Sequence, residues 1–302
     1  MGCFAGHHAQ FLGSFAVRPP RRTRLITYAA QIESQEAVPL APRARGALYL
    51  SVKRRGSDTV IGNLRQEGSL KALFPKIRGR ALQAVFLNTA GGLTGGDHMQ
   101  IAAHAQADAH IVLSSQAAER AYRAQPGEIA RSELTLNLDA GARIDWLPQE
   151  TIFFDHAALD RRLSVHLDGN AAALIVEPMI FGRVAMGERV RKLHLTDQWR
   201  VWRDERLIFA DAIRLTGDAD QLMKRTAIGA GAGAMATVLF AGAQAAAFVD
   251  SFELSDRSGA SLIDEDLLLI RLLAQDGFDL RRQLIPIVEA LSSAPIPRVW
   301  RL

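Results

Sequence analysis

Three segments of this chain repeat one pattern: an alternating strand, a turn led by aspartate, then a second strand. "LTLNLDAGARIDWLP" (residues 134–148) and "SVHLDGNAAALIVEP" (164–178) carry it in full, each closing on proline, and "IAAHAQADAHIVLSSQ" (101–116) is a weaker copy. The turn aspartates Asp108, Asp139 and Asp168 fall about thirty residues apart, the length of one coil in a stacked β arrangement. Within the strands Leu134, Leu136 and Leu138 alternate with polar neighbours, and so do Leu163, Val165 and Leu167, which gives each strand one apolar face. A sandwich whose hairpins share turn chemistry has the same signature. The residues leave stack and sandwich equally open.

The rest of the chain fits a mainly β fold. "WRVWRDERLIFAD" predicts a hairpin with a charged turn between Val201 and Leu207. Helical patterning gathers late: "DGFDLRRQLIPIVEALSS" puts Phe278, Leu284, Ile285, Val288 and Leu291 on one stripe, with Asp276 or Asp279 as N-cap. Pro286 would kink that helix or mark its first turn. "AQAAAFVDSFEL" is a shorter helix candidate. With no linker or low-complexity tract, the expectation is a single large β-rich domain over residues 33–302 with a few α-helices toward the C-terminus. A flexible, basic, acid-free tail over residues 1–32 precedes it.

Composition narrows the function classes. The net charge of +4 rests on arginines spread along 302 residues, without the clustered positive charge that nucleic acid requires. The single cysteine, Cys3, rules out an internal disulfide and a cysteine-based zinc site, so a cytoplasmic setting is expected. Residues 226–249 are uncharged and long enough to span a bilayer, yet they are mostly Ala and Gly; a buried strand followed by an Ala-rich helix accounts for them better.

Several stretches invite a chemical reading. "LNTAGGLTGGDHMQ" (residues 87–100) follows an apolar strand as a phosphate loop would, but it ends in Asp97 where such a loop needs Lys and Ser or Thr, and that charge repels phosphate. "IGAGAGA" lacks the alternating β and α units of a dinucleotide site. His98, His104 and His110 recur at even spacing, which would place His98 and His104 on one strand face; no third ligand follows, and surface histidines are the simpler reading. Acidic residues set in apolar stretches are more informative: Glu150 and Asp155 in "WLPQETIFFD", Glu177 and Glu188 in "LIVEPMIFGRVAMGE". A buried carboxylate must be paired or bind metal, and Arg183, Arg189 and Arg191 are available partners. An acid/base pair of Glu150 and Asp155 would suit a hydrolase, although no nucleophile pattern accompanies it.

Six segments, "NTAGGLTGGD", "SSQAAERAYR", "WLPQETIFFD", "FGRVAMGE", "WRDERLIFAD" and "PRVW", occur in an order that resembles the UreD (UreH) urease accessory proteins, over residues 47–300. The resemblance implies a nickel-delivery chaperone that is not an enzyme and holds no permanent cofactor. It implies a β-rich stack, a complex with UreF and the GTPase UreG docked on the urease apoprotein, assembled as a dimer of heterotrimers, and nickel in transit through an internal polar tunnel. Carried over residue by residue, the tunnel carboxylates are Asp97, Glu150 and Glu188. Single carboxylates along a channel would attract a cation without trapping it. The loop and motif positions are Gly91, Gly92, Gly95, Gly96, Tyr122, Arg123, Gly182 and Arg183. The chain departs from the family at Ala124, where serine is common, and at Thr89-Ala90, which replaces a frequent proline. A purely structural adaptor, its acids only making ion pairs, is the remaining alternative.

Overall fold

The computed structural model describes residues 42–76, 79–183 and 186–301. The tail expected over residues 1–32 lies outside them. The described residues form two sheets. Across the first the order is β14 (Arg206–Gly217), β13 (Leu193–Arg203), β11 (Ala158–Leu167), β8 (Ala130–Leu138), β5 (His98–Ala105), β1 (Arg45–Arg55) and β2 (Asp58–Gly68). Across the second it is β16 (Gly259–Asp264), β17 (Leu267–Ala274), β15 (Ala234–Ala241), β12 (Ala172–Phe181), β9 (Arg143–Trp146), β6 (His110–Ser115), β4 (Leu82–Asn88) and β3 (Leu70–Leu73). From β4 to β13 the chain alternates between the two sheets, and successive strands within each sheet are parallel. The fold is therefore a solenoid-like stack, and the sandwich alternative falls. Antiparallel strands close it: β1 with β2 at one end, and β14 with β13 and β15, β17 and β16 beyond β12 at the other. Such ends cap a stack that would otherwise present open strand edges.

The turn aspartates show how the coils stack. Asp139 and Asp168 each accept from the N–H three residues on (Ala142 and Ala171, both 3.0 Å), while their own N–H groups reach back to Ala105 and Leu138 of the previous coil. In the weaker copy Gln106 takes that place, and Asp108 sits later in the turn at φ 58°. The expected charged hairpin turn is Asp204-Glu205, both at positive φ, as a two-residue connection of twisted strands requires.

Inward-facing residues form ladders across the coils. Leu50, Ala103, Leu136, Val165 and Val201 are neighbours from strand to strand, and all are buried. The outer face of the second sheet is covered by α3 (Gly277–Leu291) through Leu280, Leu284, Ile287, Val288 and Leu291. Strands β12 and β15 are consequently buried on both faces, which is why they read as continuous apolar runs. The uncharged stretch contains β15 and the four-residue α2 (Ala245–Phe248), and no helix among the described residues is long and apolar enough to cross a membrane.

Two helix details differ from expectation. Asp276 is the cap of α3, accepting from Asp279 N–H at 2.9 Å, but Phe278 is 75% exposed while Leu280 and Ile287 join the buried stripe. Pro286 lies inside the helix on its exposed side, where water can serve the carbonyl left without a donor. A short α1 (Ala219–Lys224) follows β14, capped by Asp218.

Candidate functional site

Each coil has a third, short side. Leu93 bridges to Ala121 of β7 (Glu119–Ala121), Ala121 pairs with Phe153 of β10 (Thr151–Phe153), and Phe153 pairs with Phe181 at the end of β12. Four of the sequence motifs, the double-glycine loop, "SSQAAERAYR", "WLPQETIFFD" and "FGRVAMGE", therefore occupy the same position in four successive coils. They are far apart in sequence and stacked in space. The closeness of that stack explains Gly92. A Cβ there would lie 2.3 Å from the Tyr122 ring, and its φ of 153° is one that side chains rarely adopt. At Gly95 a Cβ would meet Glu128 Cβ at 2.6 Å. Gly91 and Gly96 hold positive φ in the same loop.

Behind this side, between the two sheets, lies a cavity of about 190 Å³. Apolar walls come from Phe86 and Trp146, stacked at 5.1 Å, with Leu93, Met99 and Leu163. Its polar lining includes Asn88, Glu119, Gln149, Arg161 and Glu177. Glu177 accepts from Trp146 Nε1 at 2.8 Å and from Arg161 Nη1 at 2.5 Å. Arg161 also grips Asp197 with two parallel contacts, Nε to Oδ1 at 3.0 Å and Nη2 to Oδ2 at 2.8 Å. Glu119 has weaker support: the Asn88 amide at 3.3 Å and the Arg120 N–H at 3.2 Å.

Burial pushes the Glu119 carboxyl up, against the Asn88 hydrogen bond, and Asp97's charge adds to the rise. Burial likewise raises Glu177 despite Arg161. For Arg161 burial opposes the charge, but Asp197 and Glu177 outweigh it and hold the guanidinium protonated. Gln149 Nε2 is a buried donor without a protein acceptor, while its Oε1 accepts from Arg281. A cavity lined this way suits water or a cation with its hydration.

Asp97, Glu150 and Glu188 do not line this cavity, and Glu188 lies in a separate surface cleft. Asp97 Oδ1 accepts from Ala44 N–H at 2.7 Å and Oδ2 from Thr94 N–H at 2.8 Å, tying the glycine loop to the start of β1. Glu150 is paired with Arg281 of α3 at 2.6 Å. Glu188 is paired with Arg183 at 2.7 Å and accepts the N–H groups of Asp155 and Arg183; the Arg183 hydrogen bond, above all, lowers its pKa. Asp155 spends Oδ1 on the N–H groups of Arg191 and Lys192. Glu150 and Asp155 thus serve different elements. Tyr122, Arg123, Arg183 and Glu188 do come together, in a surface cleft where Tyr122 meets Phe154 edge-on at 5.0 Å and Arg183 stacks on Phe154 at 4.3 Å. Gly182 turns the chain there at φ 79°.

Sequence reasoning singled out Glu177 but passed over Glu119, Arg161 and Asp197. A signal exists for the last two: Arg161 is in phase with Leu159 and Leu163, and Asp197 with Leu195 and Trp199, so both are charges at inward parity. The histidines pair with carboxylates of the next coil, His98 with Glu133, His104 with Asp139 and His110 with Asp145. His110 belongs to the other sheet, and no group of three or more metal-ligating side chains occurs among the described residues.

Known proteins resemble this chain over most of its length. Residues 44–301 match the family model described as UreD urease accessory protein. The proteins named urease accessory protein UreD of Ruegeria pomeroyi and Roseobacter denitrificans are each 44% identical to the chain. The first match covers 84% of this chain and 100% of the relative, the second 88% and 98%. That of Azorhizobium caulinodans is 41% identical over 87% of this chain and 98% of its own length. Over nearly every described residue, then, the chain belongs to the UreD family of urease accessory proteins.

Proposed function

We propose that this chain serves urease maturation as a non-catalytic cytoplasmic scaffold that binds UreF, UreG and the urease apoprotein, in a dimer of heterotrimers, and conducts nickel through its interior. The observation that carries the reading is the cavity between the sheets, whose largely apolar wall presents the carboxylates of Glu119 and Glu177. Nickel is cargo here: two carboxylates presented singly, each with a competing donor, attract a divalent cation without building a closed cage. In this reading Glu119 and Glu177 are the groups the cation meets. Asp97, Glu150 and Glu188 stand outside the cavity lining and brace the surrounding loops and α3 through this chain's own donors.

The test is co-expression of urease subunits, UreF and UreG with the wild-type chain or with Glu119→Gln/Glu177→Gln. Glutamine keeps one acceptor oxygen for Trp146 or Asn88, removes the charge and turns the second oxygen into an amide donor. The expected outcome is intact co-purification of the complex with urease activation reduced about tenfold or more, the worth of a lost charged contact. Full activation with the double variant would sink the conduit reading, and full activation without the chain would sink the scaffold.

A further inference from the structure

We propose that Arg161 is a built-in competitor for the conducted cation: it occupies Glu177 until a divalent ion exchanges with it. This rests on the nickel-conduit reading and adds the residue that keeps the path from becoming a trap.

One guanidinium serves two buried carboxylates, Glu177 and Asp197, and no other ion-pair partner of either occurs among the described residues. With both carboxylates ionised the cluster is one cation short. Glu177 and Arg161 face the cavity, whereas Asp197 is not part of its lining.

The grip of Arg161 on the two carboxylates is asymmetric. Arg161 holds Asp197 through two parallel hydrogen bonds but Glu177 through Nη1 alone, which also reaches Thr151 Oγ1 at 3.3 Å. Two-point guanidinium–carboxylate contacts are the stronger kind. If Glu177 turns to a cation in the cavity, Arg161 gives up one contact and stays docked on Asp197 and Thr151. Trp146 keeps Glu177 Oε1 in place throughout. An arriving cation thus gains a carboxylate but must displace an ion contact to do so, and its binding is weakened by that amount. Its departure is helped equally, because the guanidinium stands ready to return. Without Arg161, Glu177 would face the cavity with no competing cation and would hold a divalent ion more tightly.

The experiment is calorimetric titration of nickel chloride into the purified full chain, with urease activation measured in parallel. Arg161→Gln is expected to bind nickel about tenfold more tightly or better, the worth of one charged hydrogen bond, and to slow urease activation. Arg161→Gln/Glu177→Gln is expected to bind as weakly as wild type. Where Arg161→Gln does not fold, Arg161→Lys replaces it: a lysine keeps the charge but cannot serve both carboxylates as a fork, so affinity rises by a smaller factor. A folded Arg161→Gln or Arg161→Lys that binds nickel no more tightly than wild type overturns the proposal. Glu119→Gln/Glu177→Gln separates the two ideas. Full activation with that variant overturns the conduit itself. Lost activation there, with unchanged affinity in the Arg161 variants, overturns only the competitor.

Discussion

Both oxygens of Asp97 accept backbone N–H groups, and the residue is 4% exposed. A carboxylate used this way braces the loop, and each such charged hydrogen bond contributes about 1.5–3 kcal/mol. Asp97→Ala is expected to lose about 2–3 kcal/mol of stability in urea denaturation, less for Asp97→Asn, which keeps one acceptor. Glu119 is of the opposite kind: its ionised form is disfavoured by burial, so Glu119→Gln is expected to leave stability at neutral pH unchanged or raised. Glu188 supplies a pH dependence whose sign follows from its lowered pKa. Its contribution is present above the ordinary value of 4.5 and is lost as pH falls through its lower folded-state value. Unfolding followed across acid pH should show wild type and Glu188→Gln converging below that range and separating above it. Parallel curves would mean that the Arg183 contact contributes nothing.

At the scale of elements, α3 and the C-terminal turn work as a clamp on the stack. Arg281 reaches Glu150, Gln149 and the Val299 carbonyl, while Arg143 of β9 binds the Leu291 carbonyl at the other end of the helix. Trp300 is 1% exposed, donates to the Leu147 carbonyl at 2.9 Å, and has the Arg281 guanidinium over its ring. Trp300→Ala is therefore expected to cost about 3–5 kcal/mol, measured as a shift in denaturant midpoint. Phe278→Ala, in the first turn of the same helix, should change stability by no more than about 0.5 kcal/mol. A large loss at Phe278 would contradict its placement in solvent.

For the molecule as a whole, stability is shared between neighbouring coils, because each ladder residue is buried by the coils on either side. The inner coils have neighbours on both sides; the closing strands do not. Amide hydrogen exchange should accordingly be slowest in β8, β9, β11 and β12 and faster in β2, β14 and β16. Uniform protection across the stack would mean that it opens only as one unit. Stacking also makes the cavity: a gap between two sheets is lined by residues from four coils, so no single segment of sequence contains it.

The sequence by itself determined the main strands, their inward parity, the turns at Asp139 and Asp168, a helix cap at Asp276 or Asp279 and the segments that identify the family. Each of these depends on spacing within one strand, turn or helix, which local pattern encodes. It also marked Glu177 as an acid needing a partner, and parity marks Arg161 and Asp197 in the same way. Only the tertiary structure decided stack over sandwich, because parallel pairing about thirty residues away leaves no local signature distinct from a hairpin's. Only the structure, too, assigned partners: Glu150 to Arg281 of α3, Asp97 to two backbone N–H groups, and Glu177 to Trp146 and Arg161 in the cavity wall. Which donor a carboxylate meets depends on the register between coils and on where α3 docks. That register is a balance of packing over the whole core, and it is written in no one stretch of the chain.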